Sequence, residues 1–144
     1  MNSRDQFLKT VNHRQPDRVV IDLGSTAVTG IHVRALSLLR RHYGLQRKPI
    51  RVIEPFQMLG EPGWELIDSI GIDVVGAWGR NNMFGFYNHG PFKEWKTPWG
   101  QRVLVPMDFN VTRDEKGDIF MHPEGDTSIP PAAKRPKTGY FFDA

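Results

Sequence analysis

The chain contains no cysteine, so it can form no disulfide and offers no thiolate to a metal. Strong charge of either sign is also missing. Nineteen Lys and Arg face 16 Asp and Glu, a net charge of +3, and the one dense basic stretch is Lys134-Arg135-Pro136-Lys137. A protein devoted to nucleic acid carries a basic stripe interleaved with aromatics. No nucleic-acid partner is therefore expected, and the short basic stretch is expected as a solvated loop. No apolar run approaches the roughly 18 residues of a membrane span, and Met1 to His13 lacks the apolar centre of a secretory signal. The expectation is a cytoplasmic protein with no membrane partner. Its histidines, His13, His32, His42, His89 and His122, show no metal-ligand spacing of the H-x-x-x-H kind.

What is present is enough to build a core. The 144 residues are 39% hydrophobic and 11% aromatic, the size and composition of one ordinary domain. Ser3 followed by Gln6 reads as a capping box opening a helix with Phe7, Leu8 and Val11 on one face, which Pro16 stops. Arg18 to Leu23 shows no alternation over its β-branched part, the pattern of a strand covered on both faces. It ends at Asp22-Leu23-Gly24. From Thr29 as N-cap, Ile31, Ala35, Leu38, Leu39 and Tyr43 share a helical face up to Gly44. A second strand is expected at Ile50 to Ile53, a second amphipathic helix around Trp64, Ile67 and Ile70, and a third strand from Gly71 to Trp78. The resulting order, βαβαβ, implies parallel strands joined by right-handed crossovers. From Gly90 the spacing of Trp95, Trp99, Val103 and Val105, then Phe109 and Val111, then Ile119 and Met121, predicts short antiparallel strands. Thr97 to Gly100 and Asp114 to Asp118 supply turn chemistry between them. Trp95 and Trp99 are expected to pack within this meander.

The phrases SRDQFLKTVNHRQPDRVVIDLG, GIHVRALSLLRRHYGL, VIEPFQML and LIDSIGIDVVG together resemble the N-terminal part of uroporphyrinogen decarboxylase-like proteins, and the likeness runs on to the closing GYFFDA. Within that family the chain is most similar to the corrinoid-dependent methyltransferase branch. Haem-pathway decarboxylases carry an arginine-rich phrase where this chain has Asp22 to Thr26, and an aspartate where it has Arg80. Without those arginines, paired recognition of propionate carboxylates is lost. The resemblance implies a (β/α)₈ barrel, which takes about 250 residues. The fold expected here is therefore α/β: one truncated domain, with 1–89 the βαβαβ part of an incomplete barrel and 90–144 a hairpin-rich excursion. The methyltransferase branch implies zinc held by a His-x-Cys pair and a later Cys, and a corrinoid. A chain without cysteine cannot make that site, so no cofactor is expected on this chain. The function implied is the N-terminal segment of a methyl-transferring protein, inactive alone, with a small-molecule substrate or a corrinoid protein as partner. A tetrapyrrole decarboxylase segment and a non-enzymatic small-molecule binding module remain open alternatives.

Barrel active sites lie at the C-terminal ends of the strands. Asp22 and Ser25 after the first strand, Glu54 after the second and Arg80 after the third are thus candidate substrate-binding residues, with His32 beside the first. Turn capping is the competing role for Asp22. Asp73 opens its strand and is expected to be structural. An unfinished parallel sheet would leave an open edge and favour self-association.

Overall fold

The computed structural model describes residues 2–143. Its first helix, α1 (Ser3–Val11), is capped by Asn2, whose side chain accepts the Asp5 N–H at 2.9 Å. Ser3 and Gln6 do not form the expected capping box. Gln6 is buried and its Oε1 accepts the Asp17 N–H at 2.9 Å, tying the helix to the segment that follows. Helix α2 (Val33–His42) starts later than Thr29, because His32 is its N-cap and accepts the Arg34 N–H through Nδ1. Arg40, Arg41 and His42 fill its last turn, where cations complement the helix dipole.

Strand β1 (Ile50–Glu54) follows, with the two-residue β2 (Leu59–Gly60) folded back antiparallel on it, and then α3 (Trp64–Ile70). Two further strands, β3 (Phe92–Lys96) and β4 (Arg102–Pro106), pair antiparallel over five residues. β4 runs parallel to β1 through Ile50–Val103 and Arg51–Leu104, giving a mixed sheet in the order β2-β1-β4-β3. β5 (Val111–Arg113), β6 (Ile119–Met121) and β7 (Ala133–Arg135) make a second, antiparallel sheet. One core spans both. Phe109, between β4 and β5, packs edge-on to Phe86 at 5.6 Å and to Trp95 at 5.3 Å.

The expected part of a (β/α)₈ barrel is not what the chain forms: three helices and seven strands in two small sheets describe residues 2–143. The physical reason lies in the competition for β1. Its edges are occupied by β4 and β2, so neither apolar run, 18–23 nor 71–78, can dock beside it. Those two runs pair with each other instead, through one parallel rung at Asp22 and Val74 and an Asp73 N–H bond to the Ile21 carbonyl at 2.8 Å. Parallel strands need cover on both faces. Here Val19 is 80% and Val75 49% exposed. The outer strands also guard the sheet: β2 has two residues, and β3 carries Lys93, Glu94 and Lys96, features that oppose edge-to-edge pairing.

The contact between the two runs is held by Asp73. Its enclosed carboxylate accepts Arg18 Nη1 at 2.6 Å and Nη2 at 2.5 Å, and the Ile21 N–H at 3.0 Å. The Arg18 pair, aided by that amide, outweighs burial and holds the carboxyl well below the usual carboxylate range. A depressed folded-state pKa stabilises the fold above the unfolded pKa of about 3.9, and the gain is lost as pH falls below it. Asp73→Asn is expected to cost about 2 kcal/mol at neutral pH, between surface and buried pairs because Arg18 is half in water. Urea midpoints of variant and wild type should converge as pH drops below about 4. A gap that stays constant down to acid pH would refute the role of the charge.

Candidate functional site

Asp22 organises its own loop before anything else. Oδ1 accepts the Ser25 N–H and the Thr29 hydroxyl, each at 3.1 Å, and Oδ2 accepts the Ser25 hydroxyl at 2.6 Å. The loop closes where the Gly24 N–H meets the Thr29 carbonyl at 2.9 Å. Gly24 has φ +86, and a Cβ there would lie 3.1 Å from Pro62, so this backbone approach admits only glycine without strain.

That approach forms one side of a cavity of about 520 Å³. Leu23 and Gly24 face Val74 to Gly76 and Trp78, while Pro62 to Glu65 and Ile67 close another side and Lys48 and Glu61 complete the wall. Trp64 stands at the start of α3, 69% exposed. The polar groups are already matched. Glu65 pairs with Lys48 at 2.6 Å and with buried Arg40 at 2.9 Å, and Glu61 pairs with Arg51 at 2.7 Å. Lys48 first, then Arg40, pull the Glu65 pKa below its ordinary value. A carboxylate held ionised and paired, as Glu65 is, is a poor proton donor and acceptor at neutral pH. The cavity thus combines two indoles in its lining with carboxylates that are already ion-paired.

The residues singled out in the sequence go to different places. Asp22 and Ser25 are joined to each other, in the loop behind the cavity wall. Glu54 caps the turn after β1: its oxygens accept the Phe56 and Gln57 N–H groups, each at 2.8 Å. Burial pushes its pKa up and those two amides oppose the rise. His32 lies tilted against Trp99 at 5.3 Å and edge-on to Phe141 at 5.5 Å, its pKa lowered by burial, against which the Tyr140 carbonyl acts. Arg80 is exposed, and its carbonyl accepts the Asn88 N–H at 2.9 Å. None of the five lines the large cavity. Apart from Asp22 with Ser25, no hydrogen bond or ion pair joins any two of them among the described residues.

Trp64, Trp78, Lys48 and Glu65 are the residues that sequence reasoning passed over. Periodicity alone puts Trp64 on the covered face with Ile67 and Ile70. The signal against that was Pro62-Gly63, which places Trp64 at the first helical position, outside the covered stripe. Among the described residues, no three His, Asp or Glu side chains are grouped so as to hold a metal ion. No helix there is long and apolar enough to cross a membrane. The described residues thus form a two-sheet protein with a cavity of about 520 Å³ that Trp64 and Trp78 help to line. No family model, curated protein or solved structure matches the chain.

Proposed function

We propose that the chain is the N-terminal segment of a uroporphyrinogen decarboxylase-like protein of the corrinoid-dependent methyl-transferring kind, and that its own task is to hold a small organic substrate. The observation that carries this reading is the 520 Å³ cavity, walled by Leu23-Gly24 and Val74 to Gly76. Both wall segments lie within the phrases that carry the family resemblance. The volume falls in the range of small-ligand sites, a few hundred to about 1,000 Å³. Trp64 and Trp78 offer π faces and the methylenes of Lys48 offer apolar cover, while Glu61 and Glu65 orient polar substituents.

The residues present do not fit zinc, since thiolates are lacking and no carboxylate–imidazole group replaces them among the described residues. A whole corrinoid exceeds the cavity. Under this reading, any metal-activated thiol and any methyl-carrying cobalt would belong to parts of the protein outside these residues. The tetrapyrrole decarboxylase reading is weaker, because its arginine-rich phrase is replaced by Asp22 to Thr26. A non-enzymatic binding module shares the same cavity and is favoured by its ion-paired carboxylates.

Tryptophan fluorescence of the purified chain should change saturably with a small aromatic or thiol compound from a substrate panel. Trp64→Ala with Trp78→Ala should weaken that binding about tenfold or more. Neither methyl transfer nor decarboxylation should rise above the buffer rate. Turnover by the chain alone would overturn the proposal. Binding that ignores both tryptophans would move the site elsewhere.

A further inference from the structure

The Lys134 to Lys137 stretch is not the solvated loop its charge suggests. Ala133 and Arg135 of β7 point inward and Lys134 outward, by strand alternation, and Arg135 is only 1% exposed. Its Nη1 donates to the Gly139 carbonyl, and its guanidinium lies 6.0 Å from the Trp99 ring centre. Nε and Nη2 have no hydrogen-bond partner, and no carboxylate forms an ion pair with Arg135 among the described residues. These two donors are the ones that make a parallel side-on fork for a carboxylate or phosphate.

Arg135 borders a cavity of about 270 Å³, shared with Trp99, Lys137, Thr138, Gly139 and Tyr140. Two cations stand in that wall and no acidic side chain does. An arginine does not shed its proton at physiological pH. Enclosing it without a paired carboxylate is unfavourable unless an anion compensates. Burial, then the neighbouring Arg113, pulls the Arg135 pKa down, with Asp118 opposing.

We propose that this second cavity is an anion site, taking a small oxyanion, carboxylate or phosphate, on the Nε–Nη2 fork of Arg135. Lys137 and Thr138 supply further donors, and Trp99 and Tyr140 form the walls. The site shares no residue with the large cavity, so it stands or falls independently of the substrate reading.

The test is an NMR titration of the whole chain at constant ionic strength, following the Arg135 Nε–H and the Gly139 amide. Sodium phosphate and sodium acetate are exchanged separately for sodium chloride. Saturable shifts are expected with at least one of the two oxyanions. Saturation with phosphate alone assigns a phosphate ligand, and saturation with acetate a carboxylate. Lys137→Gln, at an exposed position, should weaken the apparent Kd about fivefold, and Arg135→Met should abolish the response. If Arg135→Met does not fold, wild type and Lys137→Gln decide the matter. No saturable shift with either oxyanion, or equal affinity in Lys137→Gln, overturns the proposal.

Discussion

Replacing Gly125 by alanine is expected to destabilise the protein by about 4 kcal/mol, at the upper end of what single substitutions do. Gly125 ends the 3-10 turn Pro123–Gly125 that leaves β6, with φ +74. A Cβ there would come within 1.7 Å of the Asp108 carbonyl oxygen and 2.8 Å of its carbon. Both are backbone atoms, so no flexible side chain can swing aside. The same glycine donates its N–H to the His122 carbonyl at 3.0 Å and accepts Asn110 Nδ2 at 3.1 Å. Moving it would also disturb buried His122, whose ring is held by Thr112 at 2.9 Å and the Ile129 carbonyl at 3.0 Å. Urea denaturation monitored by tryptophan fluorescence reads the effect. An unchanged midpoint would mean that the Asp108–Gly125 approach is not part of the folded state.

Phe142→Ala should cost about 4 kcal/mol, the range for emptying a fully buried aromatic site. Residues this near a terminus are commonly loose unless tied down. Phe142 is tied down on both sides: its side chain is 0% exposed, and its N–H donates to the Phe56 carbonyl at 2.8 Å. The next residue, Asp143, exchanges backbone bonds with Lys134 at 2.6 and 2.7 Å. Phe142 therefore locks the segment after β1 to the β7 side of the second sheet. Phe142→Leu should recover much of the loss, since it refills most of the volume. Equal thermal midpoints for wild type and Phe142→Ala would show that the closing aromatic phrase is dispensable to the core.

The Phe142 substitution also bears on the small cavity, because its lining residues Gly139 and Tyr140 lie in the chain between Arg135, the end of β7, and Phe142. A variant loosened there should lose any oxyanion response before it loses the large cavity, which α3 and the 22–24 and 74–78 segments enclose. The two binding sites are thus separable by where the damage is made.

How much of this was legible beforehand depends on the range of the interaction. Helix α3 and strand β1 are visible as local apolar periodicity, and the β3–β4 and β5–β6 connections as turn chemistry. In the second of these, Asp114 Oδ1 accepts the Lys116 and Asp118 N–H groups. The candidate site was less legible. Asp22 and Glu54 carry the short-range signature of carboxylates at strand ends, and each is taken up by N–H groups two or three residues away, a role that sequence alone leaves level with ligand binding.

By itself, then, the sequence determined the short-range features: the absence of thiolate chemistry, where helices can run, where the chain must turn, and which segments are apolar enough to seek cover. Only the tertiary structure decided which strand β1 would pair with. A strand edge accepts any extended partner that reaches it, and the choice of β4 over the 18–23 and 71–78 runs is a competition among segments tens of residues apart. The same holds for Arg135. Nothing in Lys134-Arg135-Pro136-Lys137 distinguishes one cation from its neighbours. The pairing of β7 with β6 sets the alternation that turns Arg135 inward beneath Trp99 and leaves Lys134 in water.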